Sequence, residues 1–117
     1  MTDKTAAVLA GTAADTIQAL NHATLGRQLD WEYPGDAYSV TGGLAHMAGM
    51  LPQAIEQIAR LLKRLEEEGH LKSDRDTLGD DLEAAYAGLT IASGAAETLC
   101  GALNRAQHGL GAIAYKD

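Results

Sequence analysis

The stretch LGDDLEAAYAGLTIASGAAETLCGALNRAQHGLGAI, residues 78–113, decides the fold. Leu78, Leu82, Ala85, Leu89, Ala92, Ala96, Leu99, Leu103, Ala106, Leu110 and Ile113 recur at steps of four and three residues without a miss. A period of 3.5 is that of a helix seam, whereas a strand alternates with period two. No proline interrupts the run, and as one helix it would span roughly 54 Å. The expected class is therefore all-α, a single domain over residues 1–117.

Two further helical segments precede it. Leu44, Ala48, Leu51, Ile55, Ile58, Leu62 and Leu65 repeat the same steps, flanked by a seven-residue row of Val40, Met47, Ala54 and Leu61. Pro52 falls inside this pattern, but the seam keeps phase across it, which predicts a kinked, continuous helix. Gly69 is placed to stop it. Upstream, Ala6, Ala10, Ala13, Ile17 and Leu20 form a weaker, alanine-rich seam that Thr2 or Asp3 would cap and Gly26 would end. The expected helices run over about 3–25, 37–68 and 74–113, with Ser73 or Asp76 starting the last.

A short polar turn between two long seams predicts an antiparallel hairpin of helices two and three, with helix one alongside in an up-down-up bundle. The expected seam pairs Leu65 with Leu78, Ile58 with Ala85, Ile55 with Leu89, Leu51 with Ala92, Ala48 with Ala96 and Leu44 with Leu99. In that register helix three outruns helix two. Leu29, Trp31 and Tyr33 of the Gly26–Asp36 loop would then cover Leu110 and Ile113, with Trp31 against residues 107–114. Gly88, Ala95, Ala102 and Gly109 recur every seven residues, and Gly42, Gly43, Ala45, Ala48 and Gly49 cluster on helix two. These small residues suggest a close groove for helix one, or else for a second chain.

Composition narrows the function. A net charge of −7 argues against binding a phosphate backbone or an anionic membrane. Hydrophobic residues at 46% are too many for disorder, and aromatics at 4% with no Phe leave an aliphatic core. The one cysteine, Cys100, suits a reducing, cytoplasmic compartment. The apolar run at Ala6–Ala14 is short and continues a helical pattern, so it reads as helix one and not as a leader. No apolar run has the ~18 residues of a membrane span.

The four histidines, His22, His46, His70 and His108, show no metal-ligand spacing. His46 and Cys100 would approach across the hairpin, without a third group to orient them. The expected cofactor, metal and catalytic sets are therefore empty. Glu66–Glu68, Asp80, Asp81 and Glu83 read as solvated faces.

What stands out is apolar. Helix one is too short to reach the hairpin tip, so Leu61, Leu65, Leu71, Leu78 and Leu82 are expected to be covered on one side only. With Trp31 and Tyr33 they form the candidate interaction residues. The expected function is a non-catalytic protein–protein interaction module, self-associating as a homodimer. The alternative is a small acidic inhibitor or nucleic-acid mimic that occupies a basic cleft.

The segments Tyr33-Pro34-Gly35-Asp36-Ala37-Tyr38, Gly43-Leu44 and Leu51-Pro52-Gln53 resemble short, alanine-rich helical actinobacterial proteins of unknown function. The resemblance covers about a fifth of the chain and implies a cytoplasmic bacterial protein without implying a mechanism. The small secreted helical hairpins with a Trp-x-Gly turn are a poorer match. Here the hairpin tip is Gly69-His70-Leu71-Lys72, and Trp31-Glu32-Tyr33 lacks the glycine.

Overall fold

A computed structural model describes residues 4–117. Three helices account for its regular structure: α1 over Ala6–Ala23, α2 over Pro34–Glu67 and α3 over Leu78–Leu110. The architecture is all-α, with α2 and α3 forming the long antiparallel hairpin. The molecule measures 65 × 34 × 27 Å, a rod set by the length of that hairpin.

The helix boundaries follow from local chemistry. Thr2 and Asp3 lie outside the described residues, and the residue that caps α1 is Thr5, whose Oγ1 accepts from the Val8 N–H at 3.2 Å. Gly26, at φ +64°, turns the chain away from α1. The Gln28 side-chain amide donates to the Leu25 and His22 carbonyls beside that turn, at 2.7 and 3.2 Å. α2 opens with Pro34 in its first turn, where a missing N–H costs nothing. Asp36 caps it from inside, its Oδ2 accepting from the Glu32 and Tyr33 N–H groups at 2.9 Å each. Those two bonds hold the Asp36 carboxyl below its ordinary pKa, with that of Glu32 the larger.

α2 continues through Pro52 as one helix. It ends in a paired closure: His70 N–H donates to Leu65 O and Gly69 N–H to Glu66 O, both at 3.0 Å, with Gly69 at φ +74°. This is the double hydrogen bond of a glycine-terminated helix. α3 starts from Thr77. Neither Ser73 nor Asp76 is the cap, because Ser73 instead binds the Asp81 carboxylate and Asp76 takes φ +57° in the turn.

The α2–α3 seam sits about one helical turn from the expected register. Cys100 Sγ donates to the Ala45 carbonyl at 3.5 Å, and a Cβ built on Gly49 would lie 3.3 Å from the same sulfur. Further along, Gly42 faces Gln107 and Gly111 faces Tyr38. The covered row of α3 runs through Leu82, Ala85, Leu89, Ser93, Ala96, Cys100, Leu103, Gln107 and Leu110. Past Leu89 it keeps Ala96, Leu103 and Leu110 of the predicted seam and takes Ser93, Cys100 and Gln107 in place of Ala92, Leu99 and Ala106. Leu99, expected opposite Leu44, remains 44% exposed.

One covered row of α2 runs through Thr41, Ala45, Ala48, Pro52, Ile55, Ala59 and Leu62, with Ala45 and Ala48 buried, and beside it Val40, Leu44, Met47, Leu51 and Leu65 are half-buried. Small residues explain the choice: Gly42, Ala45, Ala48 and Gly49 let the two backbones close, where Leu44 or Met47 would hold them apart. The small residues of α2 thus serve α3. Those of α3 do not serve α1, since a Cβ added at Gly88 or Gly109 meets nothing within 4 Å.

Candidate interaction surface

Displacing the α2 seam by one position leaves a second row outside it. Val40, Leu44, Met47, Leu51, Ala54, Ile58, Leu61 and Leu65 also step by four and three, and all are apolar. Adjacent positions on a helix are about 100° apart, so this row lies on one shoulder of the seam. Ala92, Leu99 and Ala106 precede the covered residues of α3 in the same sense. Because the helices are antiparallel, their shoulder and that of α2 fall on one side of the hairpin.

α1 shields this side incompletely. No Cα of α1 comes within 8 Å of one in α2 or α3, and none of its residues is buried. Ile17 and Leu20 are half-buried. Between α1 and α2 lies an open apolar groove of about 460 Å³, lined by Ala13, Thr16, Ile17 and Leu20 on one wall and Val40, Gly43, Leu44 and Met47 on the other. Beyond the groove Ala54, Ile58 and Leu61 of this row are exposed, Ile58 at 49% and Leu61 at 45%, while Leu51 and Leu65 are half-buried.

The expected contact residues separate on this structure. Leu61 is exposed, while Leu65, Leu71 and Leu78 are half-buried. Leu82 is buried and is not available to a partner, because it belongs to the covered row of α3 with Leu78, Ala85 and Leu89. At the other end, the register shift removes the overhang that Trp31 was expected to cover. Leu29 is 92% exposed and Ile113 stays exposed. Trp31 is half-buried, its backbone paired with Gln28 in a small loop bridge. The ring that meets the C-terminal segment is Tyr33, packed edge-on against Tyr115 with centroids 5.0 Å apart.

The polar chemistry clusters at the hairpin tip. The Asp81 carboxylate accepts from Ser73 Oγ at 2.5 Å, Arg75 Nη2 at 2.6 Å and Thr77 Oγ1 at 3.1 Å. The Ser73 bond, followed by those of Thr77 and Arg75, holds its pKa below the ordinary value, against the opposing pull of desolvation. Tyr86 donates to Glu66 Oε1 at 3.0 Å across the hairpin. Desolvation first, then that bond and the charges of Glu66 and Glu67, raise the phenol pKa. These contacts fasten the turn and the start of α3.

His46 stands exposed, while Cys100 Sγ lies against Ala45 O and accepts from Asn104 Nδ2 at 3.6 Å. The shifted register sets the cysteine against the helix backbone. Among the described residues no group of three His, Cys, Asp or Glu side chains is placed to hold a metal ion. No helix among them is long and apolar enough to cross a membrane.

The groove was half legible in the sequence. The row of Val40, Met47, Ala54 and Leu61 flags one wall, but nothing in α1 alone says that Ile17 and Leu20 stop short of closing it. No protein-family model matches this chain, and no characterised protein or solved structure shows significant similarity to it.

Proposed function

We propose that this chain is a non-catalytic helical protein–protein interaction module that self-associates through its apolar helix faces. The supporting observation is how little it buries alone. Among the described residues its buried core is Ala45, Ala48, Leu82 and Ala96, of which only Leu82 is large. The chain exposes 9037 Å² at a mass of 12.2 kDa. A compact monomer of that mass exposes about 6,100 Å², so the excess is about 3,000 Å². Stable dimers bury about 800 Å² per partner, and obligate ones about 1,000–2,500 Å². The surplus is therefore ample for an obligate interface.

Sedimentation equilibrium at micromolar concentration tests this. The expected result is a dimer mass, with a melting temperature that rises with protein concentration. A monomer mass throughout that range overturns it. An acidic mimic of nucleic acid would need a face of carboxylates without cations. Here Arg60, Lys63 and Arg64 share one surface with Glu67 and Glu68, so the charge pattern favours the first reading.

A further inference from the structure

Resting on that reading, we infer that the partner is a second copy seated antiparallel on the outer row of α2, about a two-fold axis that passes beside Leu51 and Ala54. The row has two unlike halves. Its first half, Val40 to Met47, forms a wall of the groove under α1. Its second half, Ala54 to Leu65, lies outside that groove: Leu65 at its end is half-buried, and Ala54, Ile58 and Leu61 are exposed. One helix thus carries both a receptor and an insert, displaced along its own axis.

A two-fold antiparallel pairing satisfies both halves at once, twice over. Val40 of one copy then faces Leu65 of the other, Leu44 faces Leu61, Met47 faces Ile58 and Leu51 faces Ala54. The four-and-three stepping reads the same from either end of the row, so no residue falls out of phase. A head-to-tail contact would leave one groove unfilled at one end of a growing chain and one bare half-row at the other. The two-fold contact closes. The surplus surface of about 3,000 Å² per chain exceeds what such a two-helix interface needs. The partner's Ile58, Leu61 and Leu65 would enter the trough between α1 and α2, so α1 would be clamped only in the dimer.

The test uses the full chain with Cys100→Ala as background, so that introduced cysteines are the only ones. Ala54→Cys should oxidise readily to a disulfide-linked dimer. Spin labels on Gln57→Cys and Glu68→Cys should report separations along the axis of about 14 Å and about 46 Å in the dimer, from the helical rise and the two-fold. A parallel pairing would give similar short distances at both positions. Ile58→Glu, which meets the interface twice, should raise the dimer dissociation constant at least about tenfold. A dimer with similar distances at 57 and 68, or one that resists cross-linking at 54, overturns this inference and leaves self-association standing. A monomer mass overturns both.

Discussion

Gly49 and Cys100 lie against each other across the α2–α3 seam, where a Cβ on the glycine would stand 3.3 Å from the sulfur. The sulfur has little room to yield, held between Ala45 O and Asn104 Nδ2. Gly49→Ala is therefore expected to destabilise the hairpin by about 1 kcal/mol, crowding outweighing the gain in helix propensity. Gly101→Ala is the control. Nothing lies within 4 Å of a Cβ there, so it should stabilise by about 0.5–1 kcal/mol. Urea denaturation of both variants checks the pair of signs, and stabilisation by Gly49→Ala would count against the close seam.

Gly69 closes α2 with φ +74°. Gly69→Ala should lower stability by about 1–2 kcal/mol, the strain of a Cβ in the left-handed region. Thermal melts of wild type and variant would show it, and an unchanged melting temperature would mean that the turn relaxes into another closure.

The Asp81 cluster makes stability depend on pH. Its pKa in the folded chain lies below the ordinary value of 3.8, first because of the Ser73 hydroxyl. A depressed carboxylate stabilises the fold above its unfolded pKa and loses that contribution as pH falls through the folded one. Asp81→Asn should thus melt below wild type at pH 7, and the gap should close as the pH drops below about 3.8. A gap that is constant with pH would show that the carboxylate charge is not what fastens the turn.

Tyr33 and Tyr115 offer a measurable coupling at the open end. Edge-on aromatic pairs contribute about 0.5–1.5 kcal/mol beyond burial, and this exposed pair should fall at the lower end. A double-mutant cycle on Tyr33→Ala and Tyr115→Ala should return a coupling near 0.5 kcal/mol. Additive losses would show that the two rings do not depend on each other.

The number of helices, their turns and the continuity of α2 through Pro52 were all readable, because periodicity and glycine stops are local signals. The register was not. Periodicity says which residues share a face, but α2 has two adjacent rows with the same stepping. The expected seam shares Ala48, Ile55 and Leu62 with the covered row, but its Leu44, Leu51, Ile58 and Leu65 belong to the neighbouring row, which carries the greater apolar mass. The row of Thr41, Ala45 and Ala59 wins because small side chains permit the closer approach. That swap moved Leu99 and Ile58 outward, and it removed the overhang that Trp31 was expected to cap. The Asp81 cluster was invisible for another reason: Ser73, Arg75 and Thr77 converge through the shape of a turn, which no repeat encodes.

The loose attachment of α1 has a consequence in mass action. An isolated helix of this length is marginal in water, and α1, 18 residues long, has no buried residue to hold it within its own chain. If a second copy fills the groove beside Ile17 and Leu20, the ordering of α1 is linked to association. Helicity would then vary with the protein's own abundance. Dilution would fray one helix while leaving the hairpin intact, and the chain would gauge its concentration by the state of its first eighteen-residue segment.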